Sequence, residues 1–106
     1  MPFIDLSEVR QCEVFPGFFG RFVHSKFMTF VHWEIRANAV FPSHSHPHEQ
    51  VVNMIQGEFD LTIDGVTQRL NARSTAVIPP NAVHSGRAVT DCRIIDAFHP
   101  IREDYR

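Results

Sequence analysis

Glycine and proline recur along the whole chain at short intervals, and this spacing leaves little room for a long helix. These residues stand at Pro16-Gly17, Gly20, Pro42, Pro47, Gly57, Gly65, Pro79-Pro80, Gly86 and Pro100. The runs between them are rich in Val, Ile, Phe and Thr, which favour β-strands. Many short β-rich runs separated by turn residues are typical of an antiparallel sandwich or small barrel. The sequence therefore predicts an all-β protein of about seven or eight short strands.

The strands are predicted from runs of β-forming residues between the turn signals. They cover Lys26–Arg36, Gln50–Gln56, Glu58–Ile63, Val66–Leu70, Ser74–Ile78, His84–Val89 and Cys92–Phe98. Strict alternation places one set of side chains of the first strand on a single face, namely Phe27, Thr29, Val31, Trp33 and Ile35. Asp64-Gly65 predicts a tight hairpin, because both central residues of such a turn need positive φ.

The length of the chain fits a single domain over residues 1–106. We expect an N-terminal arm over residues 1–25, a barrel over 26–98 and a C-terminal tail over 99–106 near the mouth of the barrel. The net charge of −2 argues against nucleic-acid binding, which needs clustered basic residues. Neither a signal peptide nor an apolar run of about 18 residues is found, so a cytoplasmic protein without membrane contact is expected.

A cluster of histidines is the first sign of chemistry. His44 and His46 stand at i and i+2, so on an extended strand both imidazoles share a face and can reach one metal ion. Gln50 has the same parity and could join them, and His84 follows a turn much further along the chain. The remaining histidines outside the cluster, which are His24, His32 and His99, are expected to serve packing or the surface.

Two neighbours of the cluster stay open at this point. His48 has the parity of a ligand, but Pro47 removes a ladder donor and makes the parity uncertain between residues 46 and 50. Glu49 has the opposite parity in a regular strand and should point elsewhere.

The chain resembles the cupin family in two separated motifs. His44-Ser45-His46-Pro47-His48-Glu49-Gln50 through Gly57 resembles the first cupin motif, and Pro79-Pro80-Asn81-Ala82-Val83-His84 resembles the second. The resemblance implies a jelly-roll β-barrel of short antiparallel strands that holds one divalent transition metal, either Ni, Zn, Fe, Co or Mn. The ligands that it implies are His44, His46, Gln50 and His84. Gln50 departs from the family pattern, in which Glu is usual, and a neutral amide leaves the site one more net positive charge.

The C-terminal segment resembles a narrower group within that family. On the last strand Asp96 and Phe98 share a face, and Arg102 follows Pro100 closely enough to fold over the barrel mouth. Asp96-Ala97-Phe98-His99-Pro100 through Tyr105, beside the first motif, resembles the small cupins of pectin and alginate degradation that linearise 4,5-unsaturated uronates. This resemblance implies that Asp96 is the general acid and base, that Arg102 binds the substrate carboxylate and assists catalysis, and that Phe98 contacts the sugar.

The resemblance implies an enzyme that opens the ring of a 4-deoxy-Δ4,5-unsaturated uronate and tautomerises the enol to a linear 5-keto-4-deoxyuronate. A metal-dependent cupin dioxygenase or another sugar isomerase is the first alternative, and a non-catalytic ligand-binding cupin is the second. The resemblance also favours a homodimer. The N-terminal segment that contains Phe15, Phe18, Phe19 and Phe22 is apolar enough to pack on its own barrel or on that of a partner.

Overall fold

The chain folds into two antiparallel β-sheets whose inner faces share one core, in a computed structural model that describes residues 2–106. Its ten strands are β1 (Cys12–Phe15), β2 (Phe18–His24), β3 (Thr29–Ile35), β4 (Val40–His44), β5 (Glu49–Gln56), β6 (Phe59–Ile63), β7 (Val66–Leu70), β8 (Thr75–Ile78), β9 (His84–Ala88) and β10 (Cys92–His99). Within the described range, helical structure is limited to short 3-10 turns at Leu6–Glu8 and Glu103–Tyr105. The predicted all-β class is confirmed.

The order of the strands is that of a jelly roll. The larger sheet runs β1-β2-β3-β10-β5-β8 and the smaller one β4-β9-β6-β7, and all the pairs are antiparallel. The chain crosses repeatedly between the two sheets, so strands that are distant in sequence become neighbours, such as β3 and β10. The predicted jelly-roll barrel is therefore confirmed.

Three strands lie where the sequence predicted none. Residues 1–25, expected to form an arm, contribute β1 and β2, and β2 pairs with β3 along its whole length. Gly17, with φ of 84°, makes the tight turn between them. The third strand, β4, contains Pro42 and lies at the edge of the smaller sheet, which is where a strand tolerates a missing ladder donor.

The alternation of β3 is observed, but over a shorter range than predicted. Thr29, Val31, Trp33 and Ile35 are buried on one face, whereas Phe27 precedes the strand and is 62 % exposed. Only this one face is buried along the whole strand, because the larger sheet packs against the smaller one on a single side.

Two turns have the backbone geometry that their residues favour. The predicted hairpin is confirmed, since Asp64 and Gly65 connect β6 to β7 with φ of 47° and 83°. Asn81 also has positive φ, at 66°, and its backbone N–H donates to the His46 carbonyl at 2.8 Å. That bond ties the turn before β9 to the turn after β4, and so brings the two histidine motifs together.

The core lies between the sheets and includes much of the Phe-rich N-terminal segment. Phe18 is buried and packs edge-on against Trp33, and Phe15 and Phe22 pack against the same core. The N-terminal aromatic residues are thus accounted for largely within the chain. The buried apolar residues are Phe18, Val31, Trp33, Ile35, Val52, Met54, Phe59, Leu61, Leu70, Ile78, Ala82, Ala88, Cys92, Ile94 and Phe98. Over residues 2–106 no helix is long and apolar enough to cross a membrane.

Candidate metal centre and catalytic pocket

Three histidines converge at one end of the barrel. His44 on β4 lies directly opposite His84 on β9 in the strand register, and His46 follows in the turn that leads to β5. One ring nitrogen of each lies within 4.8 Å of the ring nitrogens of the other two. Two of these residues are buried and His44 is half-buried, so the nitrogens meet in a largely desolvated space.

Backbone carbonyls fix the orientation of all three rings. The Nδ1 atoms of His44, His46 and His84 lie 2.9, 3.1 and 2.8 Å from the carbonyl oxygens of Pro42, His48 and Ala82, respectively. A carbonyl can only accept, so each Nδ1 carries the proton and each Nε2 presents a lone pair. This is the arrangement in which protein imidazoles bind metals.

The electrostatics of the cluster favour neutral rings. Burial lowers the pKa of His44 and of His84, and burial followed by the nearby charge of Arg102 lowers the pKa of His46 to about 4. At neutral pH all three imidazoles are therefore uncharged, which is the state that a metal ligand requires.

Gln50 completes the cluster, and its contact with His46 provides a test of whether the residues fit a metal. The Gln50 Oε1 lies 3.1 Å from the Nε2 of His46, but both atoms are acceptors when the His46 ring is neutral and protonated on Nδ1. In addition, the buried Nε2 of His84 has no hydrogen-bond partner among residues 2–106. A cation that takes these lone pairs resolves both defects, so the donor set fits a divalent transition metal.

Asp96 lies on the inner face of β10 beside this cluster and is 7 % exposed. The indole N–H of Trp33 donates to its Oδ2 at 2.9 Å, while its buried Oδ1 has no partner within the part of the chain that the structure describes. Burial raises the pKa of Asp96 to about 7, against the opposing effects of Trp33, the Gln50 amide and Arg102. The carboxyl can therefore both accept and release a proton near neutrality.

Arg102 follows β10 and is only 6 % exposed, because aromatic rings enclose its guanidinium. The group lies 4.8 Å from the ring centre of Phe98 and 4.2 Å from that of Tyr105. Its Nε and Nη2 donate to the two carboxylate oxygens of Asp104 at 2.9 and 2.6 Å. The fork expected to hold a substrate carboxylate thus binds a carboxylate of the same chain, and Nη1 and one Nη2 hydrogen are left for another acceptor.

One pocket brings most of the predicted site residues together. Its cavity volume is about 40 Å³, which is room for a few water molecules. The predicted residues that line it are His44, Gln50, His84, Asp96, Phe98 and Arg102. His46 reaches the same place through its contacts with Gln50 and His84.

The structure shows the surroundings of Glu49 and His48, whose orientation the sequence left undecided. Glu49 is exposed, whereas Gln50 beside it is 7 % exposed on the inner face of β5. His48 is half-buried, and its ring packs edge-on with its centre 5.5 Å from that of His46, while its carbonyl accepts the hydrogen bond from Nδ1 of His46.

Sequence reasoning missed four residues that shape the site. Trp33 contacts Asp96, Phe41 packs its ring 4.6 Å from that of His44, and Asp104 and Tyr105 hold Arg102. Trp33 shared a predicted inner face with other core residues, so nothing separated it from ordinary packing. The pairing of Asp104 with Arg102 depends on the 3-10 turn of the tail, which no periodic pattern of residues indicates.

Comparisons with known proteins identify the family of the chain. A family model described as a cupin domain matches residues 31–98. No curated protein sequence matches the chain significantly.

Several solved structures resemble the whole fold. An RmlC-like cupin from Shewanella frigidimarina has a TM-score of 0.94 at 26 % identity, over 100 % of this chain and 96 % of its own. KdgF from Halomonas sp. has a TM-score of 0.92 at 28 % identity, over 100 % and 99 %. Oxalate decarboxylase from Bacillus subtilis, a protein with Mn(II) centres, has a TM-score of 0.82 at 18 % identity, over 92 % of this chain and 29 % of its own, which shows a shared fold alone.

Proposed function

The chain belongs to the cupin family, and within it we propose that the protein is a metal-dependent enzyme that linearises 4-deoxy-Δ4,5-unsaturated uronate monosaccharides. The observation that carries the proposal is the shared pocket of Asp96, Arg102 and the histidine cluster. The resemblance of the C-terminal segment to the uronate-linearising cupins supports this substrate class, and KdgF from Halomonas shares the whole fold at 28 % identity.

The reaction is an isomerisation that needs proton transfer and no oxidant. The hydroxyl on the anomeric carbon C1 loses its proton, C1 becomes an aldehyde, and the bond from C1 to the ring oxygen breaks. The ring oxygen remains on C5 as an enolate, which becomes the C5 ketone when C4 accepts a proton. One proton leaves and one returns, so a single acid and base can serve both ends of the reaction.

Asp96 is suited to carry that proton. Its pKa of about 7 means that the carboxylate and the carboxylic acid are both well populated at neutral pH. As a carboxylate it takes the proton of the C1 hydroxyl, and as the resulting acid it delivers a proton to C4. The indole of Trp33 holds one carboxyl oxygen, which leaves Oδ1 free to act on the substrate.

Arg102 and Phe98 would bind the substrate. The free Nη hydrogens of Arg102 bind the uronate carboxylate, in a pocket where burial strengthens the charge-assisted bond. Phe98, buried below the guanidinium, presents an apolar surface to the sugar and excludes water.

The metal site would be formed by His44, His46, Gln50 and His84, for one divalent ion among Ni, Zn, Fe, Co and Mn. Such an ion, when bound, supplies positive charge that stabilises the negative charge on the enolate oxygen. The neutral Gln50 amide adds no charge of its own, so the polarising power of the ion is not reduced there.

The proposal is tested with the monosaccharide products of pectin and alginate lyases. The metal-loaded protein should remove the ultraviolet absorbance of the conjugated alkene, and NMR of a reaction in D₂O should show deuterium at C4 of the product. Asp96→Asn should keep its metal and lose at least about a hundredfold in rate, as expected for loss of a general acid and base. Turnover by that variant at the rate of the parent protein would contradict the role of Asp96.

The same experiment separates the alternative functions. Oxygen consumption that depends on Fe²⁺, without loss of the alkene in an oxygen-free control, would favour a dioxygenase. Tight binding of the uronate without any product would favour a ligand-binding cupin.

A homodimer is part of this proposal. An apolar row crosses the outer face of the larger sheet in register, from Phe30 on β3 through Ala97 on β10 to Val51 and Val77 on β5 and β8. The corresponding outer row of the smaller sheet contains the ion pair of Asp60 and Arg69 instead. Light scattering should give twice the mass of the chain, and the mass of a single chain would contradict the dimer.

A further inference from the structure

We propose that His24 and Thr29 are positioning residues that fasten the C-terminal tail and thereby hold Arg102 at the pocket. The inference rests on the proposed function, because it assigns its kinetic effect to the carboxylate-binding role of Arg102. His24 ends β2 and Thr29 begins β3, so both lie at the mouth of the barrel across the sheet from the tail.

The hydrogen bonds form a chain in which the direction of every bond is determined. The backbone N–H of Arg102 can only donate, and it donates to Oγ1 of Thr29 at 2.8 Å. The carbonyl of Tyr105 can only accept, so Nε2 of His24 carries a proton and donates to it at 3.2 Å. In a neutral His24 ring Nδ1 is then an acceptor, and the Thr29 hydroxyl donates to it at 2.9 Å.

This chain fixes both ends of one short turn. The backbone N–H of Tyr105 donates to the carbonyl of Arg102 at 3.0 Å, which closes the turn of the tail. Thr29 holds the first residue of that turn and His24 holds its last residue. Thr29 is fully buried, so its hydroxyl has no water to replace these partners.

Residues of this turn also fix the orientation of the Arg102 guanidinium. The ring of Tyr105 packs 4.2 Å from the guanidinium on one side, and Asp104, inside the same turn, binds it with two hydrogen bonds. Tyr105 also packs against Phe22, so the ring is held by β2 as well. Loosening of the turn therefore releases two of the contacts that orient Arg102 at once.

His24 has the opposite tautomer to the three clustered histidines. Its Nδ1 accepts and its Nε2 donates, whereas His44, His46 and His84 are protonated on Nδ1. The ¹⁵N chemical shifts of the imidazole nitrogens report this difference directly. They therefore test the hydrogen bonds of His24 to Thr29 and Tyr105 without any measurement of catalysis.

The experiment compares Thr29→Val, which removes the hydroxyl at nearly constant shape, with Thr29→Ser, which restores it. Thr67→Val is the matched control, since it removes a threonine hydroxyl hydrogen-bonded to Thr62 on the opposite sheet. For Thr29→Val we expect an increase in KM for the uronate of about tenfold with kcat changed less than about twofold, and recovery in Thr29→Ser. The control should match the parent protein.

Coupling to Arg102 separates positioning from general destabilisation. If Thr29 acts through Arg102, then Thr29→Val added to Arg102→Ala should cause no further increase in KM. Independent, multiplicative effects of the two substitutions would overturn the proposal, as would an unchanged KM in Thr29→Val.

Amide hydrogen exchange keeps the inference testable if the proposed function fails. Without any uronate turnover, the Arg102 amide should still exchange about tenfold faster in Thr29→Val than in the parent protein, while the Val31 amide keeps its rate. His24 should show a protonated Nε2 in the parent protein. Equal exchange of the Arg102 amide in both proteins, or a His24 ring protonated on Nδ1, would overturn the proposal.

Discussion

Replacement of Asp96 by Asn should change how the stability of the metal-free protein depends on pH. Burial raises the pKa of the folded carboxyl from its ordinary value of 3.8 to about 7. Between these two values the folded protein keeps a proton on Asp96 that the unfolded chain has released. The free energy of unfolding therefore falls as the pH rises, by about 1.4 kcal/mol per unit for this group.

The total effect follows from the width of that interval. The stabilisation from the protonated Asp96 is fully present below pH 3.8 and is lost as the pH rises through about 7. An interval of about three units corresponds to about 4 kcal/mol. An asparagine does not titrate, so the parent protein should lose about 4 kcal/mol relative to Asp96→Asn between pH 4 and pH 8. The clustered histidines titrate in both proteins and cancel in the difference.

The assay is urea unfolding in the presence of a chelator, with Trp33 fluorescence as the probe. Trp33 is the single tryptophan of the chain and is 4 % exposed, so its emission reports loss of the core. Asp60→Asn is the control, because Asp60 pairs with Arg69 at the surface and its pKa is lowered. The free energies of unfolding of Asp60→Asn and of the parent protein should differ by an amount that does not change with pH above about pH 5. If the corresponding difference for Asp96→Asn were also independent of pH, the argument that burial keeps this carboxyl protonated would be refuted.

Three further substitutions test separate parts of the site and the fold. His84→Ala should reduce bound metal from about one ion per chain to near zero by elemental analysis, whereas His99→Ala, at the exposed end of β10, should keep it. Trp33→Phe removes the donor 2.9 Å from Asp96 and should raise the pKa of the Asp96 carboxyl, so that the pH at which its stabilisation is lost moves up by about one unit. This variant has no tryptophan, so its unfolding, with and without Asp96→Asn, is followed by far-ultraviolet circular dichroism; an unchanged pH would mean that the indole bond does not favour the carboxylate. Gly86→Ala places a methyl group against a core phenylalanine ring and should lower the free energy of unfolding by about 1–3 kcal/mol in denaturant titrations, unless that ring can move away.

Local patterns in the sequence were enough for most of the strands, because alternation and turn residues act over a few positions. The Asp64-Gly65 hairpin and the buried face of β3 follow directly from such patterns. β4 was missed because Pro42 and a short apolar run do not resemble a strand, although the sheet accepts them at its edge. β1 and β2 were missed because aromatic residues at a chain end fit an arm as well as a strand until β3 is in place beside them.

In the candidate site, too, the features that follow from local sequence patterns were predicted and those that depend on tertiary contacts were not. The i and i+2 spacing of His44 and His46 was visible, and the structure places them with His84 around one point. The contacts of Arg102 could not be predicted, since they depend on how the tail turns. For His24 the sequence indicated only packing or a place at the surface, because its partners lie five and 81 positions further along the chain and only the tertiary fold brings them to its two ring nitrogens.

The buried groups without partners show that the pocket was not shaped by folding stability alone. Within the described residues, the buried side-chain atoms that lack a hydrogen bond are His48 Nδ1, His84 Nε2 and Asp96 Oδ1, and all three belong to this end of the barrel. Each such atom costs about 1–3 kcal/mol of stability. The other buried residues of these two strands are Gly86 and Ala88 on β9 and Cys92, Ile94 and Phe98 on β10, so apolar residues in place of His84 and Asp96 would fold at lower cost. The cost at His84 and Asp96, which line the same pocket, is explained if a ligand takes these lone pairs, and the barrel is then a rigid frame that holds both side chains at that pocket.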